Sequence, residues 1–375
     1  FVGPLLPDRT GIASYNSSLV GPLTVDSGVC WYSTSGHAPI LGQSSRIVPF
    51  ENYMYDWQTV ESNVYIVGNS YHHITAVEAL QDRPGIVWLH DVVLKGLAWD
   101  YANWLSPNNP WARINEWSKG YGTSTGLPIS SMEELQRSPY LFVRPLLAHA
   151  KSFIVHSEHA KDLLVAELGG RADGRPVMVV PHAVPSHTGA IDGRSACAGD
   201  EVRVGMVGFM APIRGAERTI EAAAMLSKDG VYVELRIVGS CSDEYFGALK
   251  QYAQSFGLNI SRTGYLSEQD FINEVAALDV VVQLRLRSNG ESSGTVAHAI
   301  GLKVPVVTNI PSVSEFWAGS VECLGASIDV TSVYEAIKRA VSPERIELYA
   351  KGRERILKTM SFSAVAERIV ACARA

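Results

Sequence analysis

Cysteine is scarce in this sequence: there are five in 375 residues (Cys30, Cys197, Cys241, Cys323 and Cys372), scattered, odd in number and without a CxxC pair. Neither a disulfide framework nor a zinc site is indicated, and a reducing cytoplasm is the expected compartment. No apolar run approaches the roughly 20 residues that cross a bilayer, and the first residues lack the charged and apolar regions of a secretory signal. A soluble protein is expected, although the chain begins at Phe1 rather than Met and a targeting signal ahead of it would not be seen. No long Lys/Arg run is present, and the formal net charge is -6 at pH 7. Nucleic acid is therefore not the expected partner, and any phosphate must be bound locally. There is no GxGxxG fingerprint, no Walker loop, no Asp-x-Asp metal motif, no internal repeat and no low-complexity tract.

What the chain has instead is a globular composition, with 46% apolar, 19% charged and 9% aromatic residues. That content and this length suit two α/β domains, each with its own buried sheet. Short β-branched runs alternate with amphipathic stretches, the pattern of βαβ units around parallel sheets. In the first half the expected strands are Val29 to Ser33, Val64 to Gly68, Ile86 to His90, Phe153 to His156 and Val177 to Pro181. Residues 183–200 are poor in large apolar groups and rich in Gly, Ser and Pro, and read as a hinge. Beyond it the alternation restarts at Val202 to Gly208, Val233 to Gly239, Val280 to Leu284 and Pro305 to Thr308. The expected organisation is an N-terminal domain over 1–182, the hinge, a C-terminal domain over 201–342, and helices over 343–375 that cross back to the first domain. Residues 97–140 break the rhythm and hold four of the eight tryptophans, as an insertion or helical lid would. Its aromatics either stack on sugars, meet a lipid tail, or pack the lid onto its own domain.

Two loops carry candidate chemistry. In the first, the strand Val202 to Gly208 ends in a loop with Arg214 and Gly215 before a helix. A helix start offers free N–H groups and partial positive charge, and an arginine adds a fork-shaped cation, which suits a diphosphate. In the second, a Ser- and Gly-rich turn feeds a helix near Ser293 or Gly294. Gly294 permits close backbone approach, Ser292, Ser293 and Thr295 offer hydroxyls and N–H groups, and Glu291 adds a carboxylate suited to sugar hydroxyls or to capping the helix.

With these residues in place, the C-terminal half resembles the group 1 family of retaining glycosyltransferases, of the GT-B fold. The likeness runs from Gly208–Gly215 through VELRIVGS (233–240) and TGYLSEQDFINEVAALDVVV (263–282) to GESSGTVAHAIGLKVPVV (290–307). The N-terminal half is similar to the same family in LPDRTGIASY (6–15), NSYHHITAVEAL (69–80), GIVWLHDVVLKGL (85–97), SFIVHSEHAKDLL (152–164) and VVPHAV (179–184).

The resemblance implies two Rossmann-like domains with parallel sheets facing across a deep cleft, no cofactor and no metal, and a nucleotide diphosphate sugar as donor. It assigns the donor diphosphate to Arg214 and the donor sugar to Glu291. Gly208, Gly239, Tyr265 and Leu266, with the Ser292 to Thr295 turn, belong to the same donor side. Two departures stand out. Phe209 occupies a position where a second arginine is usual, and the second Glu of the family pattern is replaced by Ala299 or His298. His298 is then either a ribose donor or a neutral histidine packed on its helix.

Thr10 and Gly11, assigned to the acceptor side, form a turn before a helix that would face the donor phosphates, with a backbone able to bind either ligand. His90 and Asp91 end a strand, where open α/β sheets bind ligands; the resemblance implies catalytic roles, His90 next to the donor sugar and acceptor hydroxyl and Asp91 orienting the site, the other reading being a His-Asp pair that caps a loop. His156 also ends a strand, lining the cleft or serving the structure. The expected reaction is hexose transfer to a saccharide, lipid-linked or other hydroxyl acceptor, in the cytoplasm or at the inner face of a membrane. The stretch Lys338 to Lys358, with 7 basic and 3 acidic residues, either touches anionic lipid or is a solvated face. A nucleotide-sugar-binding protein without turnover, and a sugar-nucleotide epimerase of similar architecture, remain alternatives.

Overall fold

The computed structural model describes residues 1–25, 28–35, 46–121, 128–170, 174–187, 201–325 and 328–375. The chain forms two compact units: 1–181 with 289–292 and 362–375, and 182–288 with 293–361. Of the expected hinge, residues 188–200 lie outside the described residues.

The first unit is a seven-stranded sheet built from β1 (Val2–Gly3), β2 (Trp31–Ser33), β3 (Ile47–Pro49), β4 (Val64–Val67), β5 (Gly85–Leu89), β6 (Ala150–Val155) and β7 (Val177–Val179). Its order is β3-β2-β1-β4-β5-β6-β7, and every pairing is parallel. Strands β4 and β5 are buried along their whole length, which is why they are written in Val, Ile, Leu and aromatic residues rather than in alternation. The helices of this unit are α1 (Gly11–Thr24), α2 (Phe50–Asp56), α3 (Ile74–Asp82), α4 (Lys95–Leu105), α5 (Pro110–Lys119), α6 (Met132–Arg137), α7 (Val143–Leu146) and α8 (Glu158–Glu167). Within the 97–140 segment, α4 packs on α5 through Trp99 and Trp111, whose rings lie 4.4 Å apart, and through Tyr101 stacked on Trp117. Residues 122–127 of that segment lie outside the described residues.

The second unit is a six-stranded parallel sheet of β8 (Glu201–Val207), β9 (Tyr232–Val238), β10 (Asn259–Arg262), β11 (Val280–Gln283), β12 (Val306–Thr308) and β13 (Glu322–Cys323), in the order β10-β9-β8-β11-β12-β13. Around it run α9 (Ala216–Lys228), α10 (Asp243–Ser255), α11 (Glu268–Ala276), α12 (Gly294–Gly301), α13 (Pro311–Trp317), α14 (Val330–Ala340) and α15 (Pro343–Thr359). The C-terminal helices divide: α15 buries Tyr349 and Ile356 in this unit. The last helix, α16 (Phe362–Arg374), packs on α1 of the first unit.

In both sheets the chain reverses its direction of growth once, between β1 and β4 in the first and between β8 and β11 in the second. At such a point the two flanking connections leave in opposite directions and open a crevice beyond the carboxyl ends of the strands. Topology alone thereby singles out candidate loops: those after β1 and β4, and those after β8 and β11.

Candidate functional site

In the second unit, β8 ends at Gly208, whose φ of +98° suits glycine. Next to it Gly239, at φ +140°, ends β9, and a side-chain carbon there would stand 2.3 Å from the Gly208 carbonyl oxygen. Two glycines are therefore needed for the backbones to cross. The β8 loop then exposes Phe209, 61% accessible, and turns through a short 3-10 helix, Pro212–Arg214. Gly215, left-handed at φ +63°, hands the chain to α9. Arg214 is half-buried at this corner, and among the described residues its guanidinium has no ion-pair partner.

The β11 loop is fixed from below. Gln283, buried at the end of β11, donates through Nε2 to the Val207 carbonyl and to Thr295 Oγ1, both at 2.9 Å. Ser293 caps α12 by accepting from the Val296 N–H at 3.3 Å, and its hydroxyl lies 3.1 Å from that of Thr295. The start of α12 is thus bound to the end of β8 by one side chain, leaving Gly294 exposed beside it. Glu291 is placed with the first unit, in the segment Asn289–Ser292. The Asn289 carbonyl there accepts from the Val92 and Val93 N–H groups, and the Asn289 N–H donates to Glu291 Oε2.

His298 lies on α12 with its Nδ1 3.2 Å from His187 Nε2, the two rings stacked and Phe271 edge-on. Burial, reinforced by His187, lowers its pKa to about 4, so it is neutral at pH 7. Tyr265, 61% accessible, and Leu266 follow β10; the Thr263 hydroxyl behind them accepts from the Gly239 N–H at 3.0 Å.

In the first unit, Thr10 caps α1 by accepting from the Ala13 N–H at 3.0 Å, and space beside Gly11 is open. Asp91 accepts from the Asn69 N–H at 3.1 Å, and Asn69 Oδ1 accepts from the Gly96 and Leu97 N–H groups, capping α4. One loop after β4 thus holds both the carboxylate after β5 and the next helix.

His90 and His156 end the adjacent strands β5 and β6 and meet at 3.1 Å, Nδ1 to Nε2. Their protons can be assigned by chemistry. His156 Nδ1 faces the Val180 carbonyl at 3.1 Å, and a carbonyl only accepts, so this nitrogen carries a proton. Burial lowers the pKa of His156 to about 4, so the ring is neutral and its Nε2 is a bare acceptor. His90 Nδ1 is then the donor of this contact. Tyr15 stands edge-on to both rings, Trp88 packs against both, and Phe362 packs on Tyr15.

Sequence reasoning missed Gln283, Asn69 and Tyr15. A glutamine closing a Val-Val-Val run was the available signal for the first, since a buried amide needs partners. Among the described residues no group of three or more His, Cys, Asp or Glu side chains is gathered as metal ligands would be.

No family model and no curated protein sequence matches the chain. Solved structures do. The sucrose-phosphate synthase of Thermosynechococcus elongatus superposes with a TM-score of 0.65 at 13% identity, over 100% of this chain and 94% of that one. WaaG, a glycosyltransferase involved in lipopolysaccharide biosynthesis, gives 0.63 at 12% identity, over 100% and 99%. HepE of Anabaena, solved in complex with UDP-glucose, gives 0.57 at 15% identity, over 82% and 78%. The fold is GT-B. At these identities the likeness is one of fold, and it agrees with the architecture that the sequence motifs implied.

Proposed function

We propose that this GT-B chain is a retaining glycosyltransferase that moves a hexose from a nucleoside diphosphate sugar to a hydroxyl of a saccharide or lipid-linked acceptor, without a metal ion. The observation that carries the reading is the pair of loops after β8 and β11. Arg214 stands at one, the capped start of α12 at the other, and Gln283 ties the two together. A fixed cation and a helix N-terminus are what a leaving diphosphate requires, because negative charge grows on it as the anomeric bond breaks. That several GT-B structures similar to this one were solved with UDP or a UDP-sugar supports the choice of donor.

In this reading the bond from the anomeric carbon to the diphosphate oxygen breaks, and the acceptor oxygen bonds to the same face of the sugar. The departing phosphate oxygen takes the acceptor's proton. His90 and Asp91 stand on the acceptor side with Thr10 and Gly11. Gly208, Gly239, Tyr265, Leu266, Ser292, Ser293, Gly294, Thr295 and His298 serve the donor side, with Phe209 in place of a second cation. Glu291 holds donor hydroxyls. A cytoplasmic setting, with at most peripheral membrane contact and no nucleic-acid partner, completes the proposal.

The test is calorimetric titration without metal, using UDP, GDP, ADP, dTDP and their common sugars. One nucleotide should bind saturably, and Arg214→Ala should weaken it at least about tenfold, the worth of one charge-assisted hydrogen bond. Absence of binding across the panel would sink the donor site. Inversion at the anomeric carbon of the product, read by NMR, would overturn retention.

A further inference from the structure

Away from the nucleotide loops, the first unit holds a solvent-open groove of about 600 Å³ between the start of α3 and the outer half of α4. Three aromatic rings line it, and two of them stand in water, Tyr71 at 61% exposure and Trp104 at 65%, while Trp99 is half-buried. Large apolar rings left in water at one spot call for a ligand.

Both rings are braced in place. Trp104 donates its indole N–H to Glu78 Oε1 at 2.9 Å. Tyr71 stacks on His72 at 4.0 Å, and His72 Nδ1 lies 3.4 Å from Asp8 Oδ2. Rings already fixed lose little rotamer entropy when something lies against them. Around them stand groups of another kind: the carboxylates of Glu78 and Asp100, the amide of Asn103 and the hydroxyl of Thr75. Asp100 is half-buried and accepts from the Tyr71 backbone N–H, so the two walls are joined.

This combination selects among ligands. A pyranose presents an apolar C–H face and a rim of hydroxyls, which need both acceptors and donors. An acyl chain would cover the carboxylates without giving them partners, at a desolvation cost. A phosphorylated or carboxylated sugar would meet two carboxylates and no basic side chain among the groove's lining residues.

The position fits an extended ligand. Asn69 fastens the first turn of α4 beside Asp91. At 1.5 Å rise per residue, Trp104 lies about 12 Å along α4 from Gly96. Tyr71 and Asp100 of the groove thus stand close in sequence to Asn69 and Gly96, and Trp104 lies farther along α4.

We propose that this groove is a saccharide subsite that takes a neutral pyranose unit of a glycan chain, with Trp104 and Tyr71 as stacking faces and Glu78, Asp100 and Asn103 as hydroxyl partners. As an acceptor subsite it rests on the transferase reading, of which it names the acceptor class: a glycan longer than one residue. As a binding surface it stands alone.

The test uses the full chain on an array of neutral and anionic glycans, followed by calorimetry with the best-retained oligosaccharide and, in parallel, with the nucleotide panel. Neutral oligosaccharides should be retained. Trp104→Ala and Tyr71→Ala should each raise the dissociation constant at least about tenfold, as loss of an aromatic stacking face does, and leave nucleotide affinity unchanged. Both rings are exposed, so neither change threatens the core. Glu78→Gln keeps an acceptor for the Trp104 indole and should weaken binding less than Trp104→Ala.

Retention of no neutral glycan, retention of anionic glycans alone, or binding indifferent to both aromatic substitutions would overturn the subsite. So would a Trp104-dependent fluorescence shift with phosphatidylcholine vesicles but not with glycans. Nucleotide binding without glycan binding removes the groove and keeps the donor site. Glycan binding without nucleotide binding does the reverse.

Discussion

His156 is the residue whose effect is most open to measurement, because it acts through another. Its ring passes the polarity of the Val180 carbonyl to His90 and calls for a proton on Nδ1 of His90. Nitrogen-15 shifts should find His90 protonated at Nδ1 in the wild type. His156→Leu removes the acceptor, so the tautomers of His90 should mix. We expect kcat to fall at least about tenfold, in the range seen when a histidine loses its orienting partner, with nucleotide affinity unchanged. His156→Gln, whose amide oxygen can accept from Nδ1, should restore part of the loss. An unchanged shift pattern in His156→Leu would refute the assignment. His90 and Asp91 could be picked as candidates because polar groups directly follow an apolar run read as a strand, and Thr10 because it precedes a helix in a stretch that resembles the family. The chain of hydrogen bonds between His90 and His156 was not, since 66 residues separate partners that only the pairing of β5 with β6 brings together.

Between elements, Gln283 has the corresponding role: it joins the end of β8, the end of β11 and the start of α12. Gln283→Leu keeps the volume and leaves the Val207 carbonyl without this donor, which costs about 1–3 kcal/mol when the group stays buried. The urea midpoint should drop accordingly, and nucleotide affinity should fall severalfold because both loops proposed to hold the diphosphate lose their common support. Unchanged affinity with lowered stability would show that the loops keep their geometry without it. The strands that Gln283 connects were plain in the sequence as Val-rich runs. Four others were not. Strands β1 and β13 have two residues each, too few for any period, β3 has three, and β10 reads Asn-Ile-Ser-Arg, with one buried residue on the sheet's edge. Their places are set by pairing with a neighbour rather than by their own composition. The α/β class survives such omissions because it depends on the alternation of elements.

For the whole molecule, buried histidines make stability a function of pH. His73 and His156 in the first unit and His298 in the second are each held neutral, with pKa lowered to about 4, first of all by burial. In the unfolded chain each titrates near its ordinary 6.5. Between these values the unfolded state binds more protons than the folded one, so acid favours unfolding. The stabilisation is complete above about pH 6.5 and is lost as pH falls toward 4. A shift of this size is worth at most about 3 kcal/mol per group, a large part of the 5–15 kcal/mol that roughly keeps a domain folded. Urea midpoints should therefore decline steadily from pH 7 to pH 5, well before the carboxylates titrate. His73 Nδ1 donates to the Ile66 carbonyl at 3.0 Å, and an asparagine amide can replace that donor while removing the titration. In His73→Asn the decline should be shallower by the share of one histidine. Stability that stays level from pH 7 to pH 5 would mean that these rings take up protons in place, through an opening of the folded state.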